Sequence, residues 1–334
     1  MSAPDRVIQK GGIELRKARE KELLTIAAIR RGEGKRETEV LFNEKQRIFT
    51  FRRATTKIAE ESARRLADAF EKRAPVEAHL DEEKGFIRRI SIAHGKELEK
   101  FERRRTFVEK PEKIHRIDLA KIDPTTFNIV DYYLKVPVFK LCKRVIPNYK
   151  KAKEVFDFCA EQSCHLPGPY DVPKCIPFQY VRDGCYARAH EMRRIITTKY
   201  GYCCEKVFSF AVDDFDRLAV RADKWGGCCV TWWYHVAPLV RVRIKLKMLN
   251  NFSADLAMVI DPSMFDKPVL LSSWLAAQEN IVCDPDANVS LYSIQPGTAY
   301  APAWGGSTTA FATDPSYTST NNTLVDYRHL VTCT

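Results

Sequence analysis

All eleven cysteines of this chain lie between Cys142 and Cys333, whereas the first 120 residues hold no Cys, Trp or Tyr. Any covalent cross-links are therefore confined to the C-terminal part, and the N-terminal part must hold itself together by burial alone. The same boundary divides the charges. Of the first 120 residues 52 are charged, 30 as Lys or Arg and 22 as Asp or Glu, and all five tryptophans follow position 220. A chain of this length has room for about two domains. We read residues 1–95 as a charged α+β module, 96–142 as a connector and 143–334 as the main globular domain.

The formal net charge of +11 describes a basic surface open to acidic partners. The chain has no zinc-finger spacing, no RNA-binding aromatic signature and no basic helix with base-reading residues, so nucleic acid is not expected as a partner. No apolar run is long enough for a membrane span. Met1 to Lys21 lacks the apolar stretch of a secretory signal. The expectation is either residence inside the cell, export by another route, or a signal already removed. No cofactor motif is present, and His79, His94 and His115 are scattered without metal-ligand spacing.

In the first module, Ile13 to Arg31 reads as a charged helix. Apolar alternation from Glu39 to Phe51 around Asn43-Glu44 reads as a hairpin. Thr56 to Arg73 is a helix with Ala59, Ala63, Leu66 and Phe70 on one face, stopped by Pro75. Val76–Leu80 and Gly85–Ile92 form a second hairpin. Nothing here looks catalytic. In the connector, Lys96 to Arg105 is a charged helix candidate, and Lys110-Pro111 and Asp123-Pro124 punctuate the remainder.

The second module carries the chemistry. Tyr149 to Gln162 places Ala152, Val155, Phe156 and Cys159 on one helical face. Cys164 and Cys175 flank a Pro/Gly loop and suit a disulfide staple. Asp183-Gly184 makes a turn, and Cys185 to Lys199 reads as a helix with Ala189, Met192 and Ile196 inward. Cys185 at a helix N-terminus is set up as a thiolate, since the free N–H groups and dipole there stabilise negative charge. The same N–H groups can hold an oxyanion, with Gln179 a candidate second donor. His190 lies five residues along that helix, about 500° of rotation away, and is read as structural. His235 sits in the β-branched and aromatic run from Cys229 to Ala237. The apolar strand Leu256 to Ile260 ends at Asp261, which can accept the second ring N–H of His235. A Cys on a helix, then a His and an Asp on strands, is a papain-like arrangement. Trp232, Trp233 and Tyr234 are candidates to wall the cleft.

These residues carry a resemblance. Asp183-Gly184-Cys185-Tyr186-Ala187-Arg188-Ala189-His190, Gly201-Tyr202, Cys204-Glu205-Lys206, Cys228-Cys229-Val230, Tyr234-His235-Val236-Ala237 and Ile260-Asp261-Pro262-Ser263-Met264-Phe265 match the order of the bacterial protein-glutaminase family. Gln162-Ser163-Cys164 and Cys175 fit as well. The resemblance covers residues from about 143 to 275 and implies an α+β, papain/transglutaminase-like catalytic domain. Its catalytic triad falls on Cys185, His235 and Asp261. Family members are secreted, disulfide-stapled and made with an N-terminal pro-region that blocks the active site. Residues 1–140 match no motif, and the lack of a visible signal leaves the export route open.

The expected activity is deamidation of glutamine side chains in proteins or peptides through a Cys185 thioester, without cofactor or metal. Setting one catalytic thiol aside leaves ten cysteines, enough for five disulfides of open connectivity. The alternatives are acyl transfer to a lysine amine, as in transglutaminases, or a toxin-like effector in which residues 1–140 deliver the deamidase to one target protein. A cytoplasmic protein with reduced cysteines is the alternative for location. Oligomeric state is open.

Overall fold

The structure, a computed structural model, describes residues 21–32, 34, 37–52, 57–72, 74–96, 98–99, 142–212, 216–246, 252–303 and 306–333. Most of the connector, including Arg103-Arg104-Arg105 and His115, lies outside the described residues.

The first module is built on a sheet. Its strands are β1 (Glu22–Leu24), β2 (Ile26–Arg31), β3 (Glu37–Phe42), β4 (Ile48–Arg52), β5 (Val76–Asp81) and β6 (Phe86–Ile92), and its helix is α1 (Lys57–Glu71). Their spatial order is β1-β5-β6-β4-β3-β2. Both sequence hairpins are present, β3–β4 and β5–β6, each antiparallel. The helix expected over Ile13–Arg31 is not found in its described part, which is strand. Leu23 to Ile29 is apolar at almost every position and so lacks a helical face. It is consumed instead by pairing with β5 and β3, with a register shift between Ile26 and Ala28. The module's core joins Leu24, Phe42, Phe49, Leu66, Ala69, Val76 and Ile90. Phe70, expected inward, is 39% exposed, because the packed stripe of α1 runs through Ala63, Leu66 and Ala69.

The second module places its helices over an antiparallel sheet. The helices are α2 (Tyr149–Glu161), α3 (Cys185–Thr198), α4 (Leu271–Ala276) and α5 (Thr318–Tyr327). The sheet order is β12 (Val269–Leu270), β11 (Phe252–Val259), β10 (Tyr234–Leu246), β7 (Glu205–Phe210) and β13 (Leu291–Gln295). Two small ribbons accompany it: β8 (Leu218–Arg221) with β9 (Cys229–Trp232), and β14 (Ala299–Pro302) with β15 (Phe311–Thr313). In α2 the buried residues are Ala152, Val155, Phe156 and Cys159, the four expected from helical spacing. Asn148 caps it, its side chain accepting the Lys151 N–H at 2.8 Å. The strand expected through Cys229 to His235 breaks at Trp233, so β9 and β10 belong to different sheets. This is the mixed α+β class expected from sequence.

Four disulfides staple the second module: Cys142–Cys203, Cys164–Cys175, Cys228–Cys333 and Cys229–Cys283. The loop staple is as expected, but a fifth bridge is not formed. Besides Cys185, Cys159 and Cys204 remain buried thiols. Cys159 is committed to the core face of α2, and burial pushes Cys204 up to about 12.

The modules share buried surface. Ala27 and Leu41 belong to the same apolar cluster as Tyr186, Phe208 and Trp233. Arg30 donates to the carbonyls of Ala211 at 2.7 Å and Asp216 at 2.8 Å, and Arg217 pairs with Glu39 at 2.6 Å. The turn between β3 and β4, residues 43–47, lies on this shared surface, with Gln46 fully buried against Asp183.

Candidate active site

Helix α3 starts abruptly because Gly184 adopts φ +79°, the left-handed region, and a Cβ there would come within 2.8 Å of the Tyr327 ring. Arg188, one turn into α3, folds back to donate to the carbonyls of Tyr180 at 2.7 Å and Asp183 at 2.6 Å, pinning the loop that delivers Cys185. Cys185 is 2% exposed. A helix N-terminus alone predicts a thiol that ionises near neutrality. Here burial pushes it well above its ordinary value, and Arg188 and the Val236 N–H offset this only in part. The reason is water exclusion at the helix start, which has no signature in the local sequence.

His235 is the second residue of β10, and Asp261 lies just past the end of β11. The His235 Nε2 to Asp261 Oδ2 distance is 2.8 Å. Asp261 also accepts from the Trp274 indole N–H at 2.9 Å and the Ser263 N–H at 3.2 Å. Burial alone would raise its pKa, but the bonds from His235 and Trp274 outweigh burial and hold it below the ordinary carboxylate value. An ionised Asp261 can only accept, so His235 carries its proton on Nε2 and presents a bare Nδ1. Burial also lowers the His235 pKa, despite the carboxylate beside it. The ring is stacked between Trp232, 4.6 Å away at 12°, and Trp274, 5.4 Å away at 23°. Trp274 is absent from the sequence-derived candidates, because a lone Trp in a short helix carries no signal of this role.

The residue facing Nδ1 comes from the other module. Gln46, at the β3–β4 turn, is fully buried. Its Nε2 lies 2.9 Å from His235 Nδ1, and its Oε1 accepts the Cys185 backbone N–H at 3.3 Å. The two contacts fix the orientation of the amide, since a bare Nδ1 needs a donor and an N–H needs an acceptor. The Gln46 N–H donates to Asp183 Oδ1 at 2.8 Å. Around it, the Trp233 indole donates to the Lys45 carbonyl at 2.9 Å, and Arg47 forms a β-bridge with Trp232. Lys45 Nζ reaches Glu82 and Glu22, each at 2.9 Å, and Tyr327 Oη at 3.1 Å. Burial alone would lower the Lys45 pKa, but the two carboxylates outweigh it and keep the ammonium charged. Tyr327 donates on to Asp183 Oδ2 at 2.8 Å. Nothing in the charge or apolar pattern of Asn43 to Arg47 marks Gln46, so the first module, chemically silent as a sequence, supplies a group that sequence reasoning misses.

The remaining candidates take other roles. His190 accepts from Lys206 at 2.8 Å and contacts the Asp314 carbonyl at 3.1 Å, and burial holds it neutral with a pKa of about 3, a structural role as expected. The Gln179 amide donates to the Arg328 carbonyl at 3.0 Å, which turns it toward the C-terminal tail. Of the aromatic trio, Trp232 stacks on His235, while Trp233 and Tyr234 pack in the main core, Trp233 with its indole N–H on the Lys45 carbonyl.

The profile of a family described as glutaminase matches residues 152–278. The crystal structure of a pro-protein-glutaminase is 25% identical, with 95% of each chain covered and a TM-score of 0.67. A mutant of pro-protein-glutaminase is 26% identical, covering 94% of this chain and 95% of that one, with a TM-score of 0.66. The NMR structure of protein-glutaminase from Chryseobacterium proteolyticum is 33% identical over 57% of this chain and 93% of that one, with a TM-score of 0.47. This chain belongs to the protein-glutaminase family. No curated protein matches it. The likeness to the pro-forms extends over both modules, so this family member carries the charged first module as part of a shared architecture.

Proposed function

We propose that residues 143–334 deamidate glutamine side chains of proteins or peptides to glutamate and ammonia, with Cys185 as nucleophile, His235 as general base and acid, and Asp261 as its orienting carboxylate. One observation carries this reading: a glutamine carboxamide is seated with its oxygen on the Cys185 N–H and its nitrogen on His235 Nδ1. Those are the two poles a deamidase must address, the carbonyl oxygen that becomes an oxyanion and the nitrogen that must be protonated to leave.

In the reaction, Cys185 Sγ adds to the carboxamide carbon as its proton passes to His235 Nδ1. The Cys185 N–H holds the developing oxyanion. His235 then hands the proton to the leaving nitrogen, ammonia departs and a thioester remains. Water, deprotonated by His235, resolves it to glutamate and restores the thiol. The Asp261 carboxylate, kept ionised by His235 and Trp274, stabilises the transient imidazolium. Asp183 accepts the main-chain N–H of the glutamine, a contact that selects chain-borne substrates.

Residues 1–95 act as a pro-region and 96–142 as its cleavable connector, because Gln46 and its neighbours fill the cleft. Four disulfides suit an oxidising compartment, and we assign the protein to export. The test is to nick the full chain with trypsin between residues 96 and 151 and follow a short glutamine peptide. Ammonia release and a peptide heavier by about one mass unit, without cleavage or cross-linking, are expected. Cys185→Ala should abolish both, and Asp261→Asn should lower kcat by about a thousandfold or more. Full activity in Cys185→Ala would overturn the assignment.

A further inference from the structure

The group in the cleft is itself a glutamine, and its amide is oriented as a substrate would be. Gln46, Cys185 and His235 are 0%, 2% and 1% exposed, so the three are closed off from bulk water. Gln46 is held at three points: its carboxamide Oε1 by the Cys185 N–H and Nε2 by His235 Nδ1, and its main-chain N–H by Asp183. The tether makes any reaction between these groups intramolecular, with the orientation already set. An inert plug needs only to fill the space. This one presents the functional group that the site is built to consume.

We propose that Gln46 is a substrate of its own chain: Cys185 deamidates it in cis, and the acid so formed loosens the pro-region from the cleft. The inference rests on the deamidase reading above. Sγ bonds to the Gln46 Cδ as the thiol proton moves to His235 Nδ1. The Cδ–Nε2 bond breaks as that proton moves to the nitrogen, which leaves as ammonia. This half needs no reactant from outside the cleft. The second half needs a water: its oxygen bonds to Cδ, the Cδ–Sγ bond breaks, and its proton returns through His235 to Sγ. The sum is glutamine plus water giving glutamate plus ammonia, with no change of oxidation state. Because water is excluded while the turn is seated, the thioester linking positions 46 and 185 waits for the turn to lift.

The product no longer fits the site that made it. A carboxylate has no N–H for His235 Nδ1. It also brings a second negative charge beside Asp183 and toward Asp261, in a setting where burial already pushes the Asp183 carboxyl up. The amide is the form the cleft holds; the acid is the form it expels.

The full chain, freshly purified, is incubated in water enriched in the heavy oxygen isotope, and the peptide containing position 46 is followed by mass spectrometry. The expected result is conversion of Gln46 to glutamate with one heavy oxygen, preceded by a species lighter by one ammonia that hydroxylamine cleaves. The rate should stay constant over about a hundredfold dilution, as a reaction in cis requires. Cys185→Ala and Cys185→Ser should both leave Gln46 intact; conversion in either would show spontaneous chemistry and overturn the proposal. Gln46→Glu should raise the activity of the uncut chain about tenfold, the loss of one hydrogen bond with added like charge. No rise would overturn the loosening. The same preparation, nicked with trypsin, is assayed on a glutamine peptide. If the peptide is deamidated while Gln46 stays intact, the cis reaction is refuted and the deamidase reading stands. If neither reacts, both fall.

Discussion

At the scale of single residues, the indole of Trp274 does two things at once. Its ring closes one face of His235, and its N–H stabilises the Asp261 carboxylate. Trp274→Phe keeps the ring and removes the donor. A hydrogen bond to a charged group is worth about 1.5–3 kcal/mol, so the Asp261 pKa should rise and the acid limb of the kcat/KM profile should move up by about one pH unit or more. An unchanged limb would mean that the N–H is idle. Cys185, His235 and Asp261 are legible in the sequence as candidates: a Cys at a helix start, a His in an aromatic strand run and an acid at the rim of an apolar strand. Gln46 is not. It meets Cys185 across 139 positions, and no local pattern encodes a contact made only by docking one module on another.

At the scale of elements, the C-terminal tail clamps the loop that leads into α3. Thr332 donates to the Gln179 carbonyl at 2.6 Å and accepts the Val181 N–H at 2.7 Å, and Cys333 is bonded to Cys228. That bridge spans 105 residues, against 11 for Cys164–Cys175. In the chain-entropy model the long bridge contributes about 4.7 kcal/mol and the short one about 3. Replacing Cys228 and Cys333 by Ser should therefore lower the melting temperature more than replacing Cys164 and Cys175. It should also lower kcat, because the loop holding Asp183 and Cys185 loses its clamp; differential scanning calorimetry and the peptide assay read the two effects. The buried face of α2 and both hairpins of the first module are visible in apolar spacing. The leading strands are not, because an unbroken apolar run has no period to separate helix from strand.

At the scale of the whole molecule, the stability of the first module is tied to pH through Glu44. Its carboxyl accepts from the Thr25 N–H at 2.9 Å and the Thr25 hydroxyl at 2.7 Å, and burial pushes its pKa from 4.5 up to about 7. The folded chain thus holds a proton that the unfolded chain gives up above pH 4.5. Its stabilisation is complete below that point and is lost as pH rises through about 7. The first thermal transition of the full chain should fall over that window, and Glu44→Gln should flatten the dependence. The manner in which Gln46 enters sets a second property. It arrives on a chain that doubles back between β3 and β4, and the outgoing strand bridges to Trp232. The cleft therefore selects by curvature. In a folded protein offered to the nicked enzyme, glutamines on protruding turns should react first, while those within helices or flat sheet interiors should persist until their surroundings melt; peptide mapping over time would order them.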